Sequence, residues 1–458
     1  MKEYTKIISN WVSTNKYDDI PKDVVDIMKM IILDSIGCAI HGTTLPTVQK
    51  VIKAFADKYE FPNSSIIWGT DKRARPDLAT FINGTAVQSD ELDQAGQHTH
   101  ASASNMTAVL ACADVNECVS GKEFINSLVV GEEILARLGA CFTDRGYVFQ
   151  DIGLHQAAVL SPAGTVAALS QAYKLNNEQV YNAFGIGLDR SFALEITRVS
   201  SEYKRCMQAH GGMIGLQSVL LAKEGLTGVE NVFETDGGFM QFFTQSKDKF
   251  NLDDLVDSLG KKWLTLEAEM KRYMGMMYQH PHYHCAKLLS KEYKIDPNEI
   301  EKIDIDVNAV EYNHSNVVYN RTDSKTFAQF CIPYGVAAMF LEGNVFIDQY
   351  KEEKLKNPIF VNLAQKIFMH VNTEWPRDLN SGSRPSKITV LLKNGDQFSK
   401  FIEYGYKTYP LTREEVIQKF KKLSSDVFNE NKISQIIDLV FNIEKVTDVK
   451  NLTKLLQK

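Results

Sequence analysis

Nowhere in the 458 residues do about eighteen apolar residues run together, so the sequence offers no segment that would cross a bilayer as a helix. The opening MKEYTKIISNWVSTNKYDDIP lacks the apolar core of a secretory leader, and the expected compartment is the cytoplasm. Cysteine is scarce and scattered. The seven (Cys38, Cys112, Cys118, Cys141, Cys206, Cys285 and Cys331) form no CxxC, which argues against a disulfide frame or thiolate zinc site and for reduced thiols, mostly in the core. An excess of positive charge is missing too, since the net charge is -6, so nothing favours nucleic acid or an anionic membrane surface. No internal repeat and no low-complexity linker is present. What remains, 44% hydrophobic and 24% charged, is the composition of an ordinary soluble globular protein, and the length calls for two domains, one of them discontinuous.

The chain opens helical. Asp23 to Ile40 is too apolar for a surface helix and predicts a core helix. Pro76 to Ile82 and Gly121 to Leu138 predict others. Ser161-Pro162 before AGTVAALSQAY predicts a helix capped by the serine with proline in its first position. Asn176 and Gln179 form a capping-box pair before VYNAFGIGL, and Met207 to Glu224 is a tight small-residue helix. Gly211, Gly212 and Gly215 inside it do not make a phosphate loop, because no strand precedes them and Gly-x-Gly-x-x-Gly is absent. Close helix packing explains them better. After Trp263 the pattern changes. Ile303, Ile305 and Val307 alternate with Asp304, Asp306 and Asn308 as in a half-buried strand. Ala328 to Gly343 predicts a helix kinked by its proline, and Ile359 to Phe368 a further helix. Ile388 to Leu392, Asn394-Gly395 and Phe398 to Tyr404 predict a hairpin with a type I′ turn. Leu411 to Leu455 is helical again.

Acid/base groups concentrate between Asn83 and Ala113, NGTAVQSDELDQAGQHTHASASNMTAVLACA. A turn at Asn83-Gly84 leads to Asp90, Glu91 and Asp93, then to the polar loop His98-Thr99-His100 and Ser102. Met106, Val109, Leu110 and Cys112 follow at helical spacing. Carboxylates and imidazoles are expected on opposite sides of a short loop held between packed helices, where backbone can approach a ligand. On loop statistics alone, solvated surface is the more common outcome for such a stretch.

The order NGTA, ELD, HAS, GLH, SEYKRCMQAHGG, KRYMGMMYQHP and FAQFCIPYGVAAMFLEG resembles the MmgE/PrpD family over nearly the whole chain. That family includes 2-methylcitrate dehydratase, cis-aconitate decarboxylase and iminodisuccinate epimerase. The resemblance implies a mainly α fold, with a large helical domain over 1–265 plus 406–458 and a smaller α+β lid domain over 266–405. It also implies a homodimer that needs no cofactor and no metal and acts on a small polycarboxylate.

Removing a proton next to a carboxylate builds enediolate-like charge on a molecule that is already a polyanion. Such a site needs cations and hydrogen-bond donors for the carboxylates and a base tuned near neutrality. Lys204, Lys271 and Arg272 are cations in otherwise apolar or small-residue contexts, and His100, His155 and His280 are candidate acid/base groups. Position by position, the resemblance assigns His100 in His-Ala-Ser, Asp93 in Glu-Leu-Asp and His155 in Gly-Leu-His to the site. It makes Lys204 a substrate-side lysine and Lys271 the lysine opening the lid motif, and it matches Tyr334 in Ile-Pro-Tyr to a site tyrosine. Two departures stand out: Gln94-Ala95 follows Glu-Leu-Asp where the dehydratases carry Asp-Thr, and Ala101 replaces a proline. His280, His282 and His284 alternate around Pro281 and Tyr283, which on an extended segment would offer three imidazoles to a metal. A lyase (dehydratase or decarboxylase) is the expected activity. The alternatives are an epimerase and a catalytically inactive member that serves as a binding protein.

Overall fold

The computed structural model describes residues 2–57, 63–96, 99–115, 118–143, 149–246, 249–315, 319–320, 322, 324–375 and 382–458; His98 of the central loop lies outside them. Two units divide the chain, Met1–Met270 with Thr412–Lys458, and Lys271–Leu411.

The larger unit is helical. It runs through α1 (Tyr4–Thr14), α2 (Lys22–Thr43), α3 (Pro46–Phe55), α4 (Pro76–Gln88), α5 (Asn105–Val115), α6 (Gly121–Thr143), α7 (Gln156–Ala172), α8 (Asn177–Asp189), α9 (Thr197–Ser200), α10 (Met207–Lys223), α11 (Phe239–Thr244) and α12 (Asp253–Val256). Its strand pairing, among the described residues, is the short antiparallel pair β1 (Ser65–Ile66) and β2 (Arg73–Ala74) plus isolated bridges. The smaller unit holds α13 (His280–Tyr293), β3 (Ile300–Val307), α14 (Ala309–Ser315), α15 (Lys325–Gln329), α16 (Ile332–Glu342), α17 (Glu352–Leu355), α18 (Pro358–Ala364), β4 (Ile367–Val371), β5 (Arg384–Leu392) and β6 (Gln397–Tyr404). Its sheet has the order β4-β3-β5-β6, parallel between β3 and β4 and antiparallel elsewhere. The chain then returns to the larger unit with α19 (Arg413–Ser424), α20 (Glu430–Phe441) and α21 (Lys450–Leu456).

Helix α2 is apolar on all sides because α4, α6 and α19 pack around it. Helix α4 runs straight through Asn83 and Gly84, where the sequence suggested a turn. The Asn83 amide imitates a strand partner, donating to the Ile66 carbonyl at 2.9 Å and accepting from the Trp68 N–H at 3.1 Å. Gly84 is there for proximity: a Cβ would fall 2.2 Å from the Ala103 carbonyl oxygen and 2.8 Å from Ala209 Cβ, so only glycine lets α4 touch both α10 and the turn at 101–103. The Gly211 reading holds, since a Cβ there would meet Ser161 Cβ at 2.4 Å.

Helix α7 starts six residues before the expected Ser161-Pro162. Ser161 is no cap; its Oγ donates back to the Ala157 carbonyl at 2.6 Å, and Pro162 lies inside the helix. The Asn176–Gln179 capping box is present, with reciprocal bonds of 2.9 and 3.1 Å.

In the smaller unit β3 buries Ile303, Ile305 and Val307 completely, as the alternation predicts. Three expectations there are corrected. The segment 328–343 is two helices, with Pro333 in the first turn of α16, where its missing N–H costs nothing, and it is not one kinked helix. Ile367-Phe368 belong to strand β4 rather than to the preceding helix. The β5–β6 hairpin turns through a three-residue loop in which Leu392 carbonyl accepts from Gly395 N–H at 2.9 Å; only Gly395 has positive φ, +91°, whereas a type I′ turn needs it at Asn394 as well.

Candidate active site

In the larger unit, the segment from Ser89 to His100 leaves the end of α4 and returns to the start of α5, and each of its acids is met by a base. Asp90 Oδ2 lies 2.9 Å from His41 Nε2, in the last turn of α2. Glu91 accepts from both the Lys204 ammonium and the Arg205 guanidinium, which arrive from the 202–206 turn before α10. Asp93 Oδ2 lies 2.8 Å from His100 Nδ1. These groups are buried: Glu91 is 2% exposed, Asp93 1%, Lys204 5%. The alternative of a solvated loop does not hold. Glu91 has φ +55°, a left-handed conformation rare for a residue with a side chain; a glycine would sit there more easily but could not hold two cations.

Behind the loop, two further contacts fix it. The Leu92 carbonyl accepts from Lys419 Nζ of α19 at 2.6 Å, and that ammonium also lies 2.7 Å from the fully buried Asp34 of α2. Burial disfavours the charge on Lys419, yet Asp34 outweighs it and holds the ammonium above the ordinary lysine range. Gln94, one of the departures from the family pattern, donates to Glu132 Oε2 of α6 at 3.0 Å. Burial pushes the Glu132 carboxyl up to about 7, with Gln94 opposing and Glu133 adding to the shift. A carboxylate in place of Gln94 would repel Glu132.

His155 caps α7, its ring nitrogen Nδ1 3.4 Å from the Ala158 N–H. Burial lowers its pKa to about 4; Glu195 opposes this, while the charges of His100 and Arg198 lower it further, so the ring is neutral at pH 7. The structure therefore brings together Asp93, His100, His155 and Lys204, and adds His41, Glu91 and Arg205. Sequence reasoning named Glu91 only as part of the acidic run and gave His41 and Arg205 no role. The signal for Glu91 and Arg205 was their adjacency to residues already chosen; His41, at the end of an apolar helix, gave none.

Three glutamines border the same region: Gln88 ends α4, Gln156 opens α7 next to His155, and Gln208 opens α10. All are buried. Among the described residues, neither polar atom of the Gln88 and Gln208 amides, nor Nε2 of Gln156, finds a hydrogen-bond partner. Buried amides without protein partners call for water or a ligand.

The remaining candidates belong to the smaller unit. Lys271 is buried, and Arg272 Nη2 donates to the Pro410 carbonyl at 3.2 Å. His280 opens α13, fully buried, its ring edge-on to Tyr273 at 5.4 Å. Tyr334 lies in an aromatic core with Tyr319, Tyr350 and Phe360, its hydroxyl donating to the Gln349 carbonyl. The three histidines of 280–284 are on a helix, not an extended segment, and at 3.6 residues per turn His282 points about 160° away from the other two. His282 Nδ1 meets Ser386 Oγ at 2.8 Å and His284 Nδ1 meets the Tyr273 hydroxyl at 2.9 Å. Among the described residues no group of three or more His, Cys, Asp and Glu is arranged to hold a metal ion. No described helix is long and apolar enough to cross a membrane.

Comparison with known proteins agrees over both units. The MmgE/PrpD N-terminal domain model matches residues 6–251 and the MmgE/PrpD C-terminal domain model residues 273–443. A cis-aconitate decarboxylase-like protein, oryM, of Aspergillus oryzae is 26% identical over 472 residues, covering 99% of this chain and 97% of its own. The cis-aconitate decarboxylase of Homo sapiens is 24% identical, covering 100% and 95%, and a probable 2-methylcitrate dehydratase of Saccharomyces cerevisiae 22%, covering 93% and 86%. With family models matched across both of its units, the chain belongs to the MmgE/PrpD family.

Proposed function

We propose that this chain is a lyase that removes water or carbon dioxide from a small di- or tricarboxylate, through an enediolate-like intermediate next to a carboxylate. The observation that carries the reading is the Asp93–His100 pair. An ionised Asp93 takes the Nδ1 proton of His100 in a hydrogen bond, which leaves the Nε2 lone pair as the base and stabilises the ring once it is charged. In a dehydration, Nε2 takes the proton from carbon, the electron pair flows into the adjacent carboxylate and then expels hydroxide, which leaves as water after protonation. In a decarboxylation, the carbon–carbon bond breaks, carbon dioxide leaves, and the electron pair left behind takes a proton from His100 Nε2, which enters this reaction as the imidazolium after binding a proton from water. His155, neutral at pH 7, is a hydrogen-bond partner for the substrate rather than a second cation.

Lys204 is proposed to bind a substrate carboxylate. The amides of Gln88, Gln156 and Gln208 are proposed to donate to substrate oxygens, which would satisfy their open hydrogen-bonding capacity. The similarity to decarboxylases and a dehydratase favours a lyase. The alternative reading is an isomerase, in which one group takes a proton and a second returns it to the opposite face. Incubation with cis-aconitate, methylcitrate, citrate and iminodisuccinate, with the products weighed by mass spectrometry, tests the proposal. Loss of water or carbon dioxide from one of them is expected; inversion without loss of mass would make it an isomerase, and no reaction with any would overturn it.

A further inference from the structure

The larger unit carries a cavity of about 260 Å³ at a distance from the acid/base loop. Its floor is apolar, made by Val109 and Ala113 of α5, Val119, and Ala172 at the end of α7. Its rim is cationic, with Lys174 just past α7 and Lys223 as the last residue of α10, and the Tyr173 ring lies between floor and rim. These are the far ends of the helices that carry the site: α5 begins after His100, α7 is capped by His155, and α10 follows Lys204 and Arg205. At 1.5 Å per residue, α7 and α10 each put about 25 Å between the two ends, so the cavity is separate from the acid/base groups.

The two lysines differ. Lys174 is paired with Glu123 at 2.8 Å. The Lys223 ammonium lies over the Tyr173 ring, 4.9 Å from its centre, and among the described residues no carboxylate pairs with it. A cation at a helix C-terminus is favoured by the helix dipole alone, and that suffices to explain a lysine there. It does not explain a cavity with an apolar floor in front of one. An unpaired ammonium beside an aromatic face and an apolar floor is complementary to a molecule with one anionic end and an apolar body. A second carboxylate would meet either the apolar Val109, Ala113 and Val119 or a Lys174 already paired with Glu123, so the substrate class proposed above fits poorly here. The volume holds about nine non-hydrogen atoms at the ~30 Å³ that each water occupies in the liquid.

We propose that this cavity is a second ligand site, selective for a small monocarboxylate with an aromatic or short aliphatic body, whose carboxylate pairs with Lys223. The inference does not depend on the lyase reading.

Cys118 supplies the readout. It lines the cavity and is the exposed one of the seven cysteines, the other six being buried. Benzoate is the probe. At about ten times its Kd it leaves about a tenth of the sites open, so alkylation of Cys118 by iodoacetamide, followed by peptide mass spectrometry, should slow about ten-fold. Lys223→Ala should abolish that protection while leaving turnover of the carboxylate substrate unchanged, and excess citrate should not displace benzoate. Calorimetric titration of wild type and Lys223→Ala with benzoate gives the same comparison independently of thiol reactivity. Equal labelling with and without benzoate together with no heat of binding would overturn the proposal, as would displacement of benzoate by citrate or equal binding to both proteins.

Discussion

Replacing Asp93 with asparagine changes one atom pair and tests the role given to His100. Asp93 is 1% exposed and its Oδ2 sits 2.8 Å from His100 Nδ1, so the substituted amide has to face the same nitrogen. If it presents its oxygen, Nδ1 still donates and Nε2 is still the base, but the charge that stabilises the imidazolium is gone. If it presents its NH2 group, Nδ1 becomes the acceptor, the proton moves to Nε2, and the base is lost. The first arrangement corresponds to a fall in kcat of about 10²-fold and the second to about 10⁴-fold, or roughly 3 to 6 kcal/mol of barrier at ~1.4 kcal/mol per decade. KM should move little, because Asp93 is assigned no contact with the substrate carboxylates. Steady-state kinetics on the substrate identified by mass spectrometry, with circular dichroism to show an intact fold, reads the effect. An Asp93→Asn enzyme within about threefold of wild-type kcat would refute the reasoning, since the tautomer argument leaves no room for so small a change.

The other predictions concern the supports of the loop and the expectation that activity needs no metal. Glu132, pushed up to about 7 by burial, binds more protons in the folded than in the unfolded chain between about pH 4.5 and 7, so its contribution to stability is complete below that window and is lost as pH rises through it. Glu132→Gln, which cannot ionise, should therefore be more stable than wild type at pH 8 by up to about 3 kcal/mol and should flatten the pH dependence of urea unfolding; parallel curves for the two proteins would refute this. Lys419→Met removes the ammonium 2.7 Å from the buried Asp34 and should cost about 3 to 5 kcal/mol in denaturant unfolding, with Asp34→Asn added to it restoring part of the loss; additive losses would contradict the pairing. Activity should survive exhaustive chelation, because His282 and His284 are engaged by Ser386 and Tyr273 on different sides of α13; loss of activity restored by one metal per chain would overturn that expectation.

Much of the helical unit was legible in the sequence because its signals are local. The apolar run of α2, the Asn176–Gln179 box and the small residues of α10 each specify a helix without help from the rest of the chain. The failures came where tertiary contact overrides a local cue. Gly84 looks like a turn residue until Ala103 and Ala209 are found against it, and Ser161-Pro162 looks like a helix start until the Ser161 hydroxyl is found bonded backward to Ala157. Strand β4 was hidden for the same reason: it is only five residues long, and it exists because β3 offers it a parallel edge. At the site, His100, His155, Asp93 and Lys204 were named from motif order, which distance along the chain does not blur. His41 and Lys419 could not be, since each acts across more than forty residues of sequence on a loop it does not adjoin.

The central claim is that His100 exchanges a proton with substrate carbon during loss of water or carbon dioxide. Turnover of the reactive polycarboxylate in deuterated water by wild type, His100→Gln and His155→Gln, with deuterium located in substrate and product by mass spectrometry and NMR, measures this most directly. The account predicts that wild type places solvent deuterium at the carbon next to a carboxylate, in the product of a decarboxylation or in the substrate recovered from a reversible dehydration, and that His100→Gln loses both this exchange and turnover by about 10²-fold or more. His155→Gln should turn over more slowly yet still place deuterium at the same carbon. Undiminished exchange by His100→Gln alongside its loss in His155→Gln would contradict the account and make His155 the base.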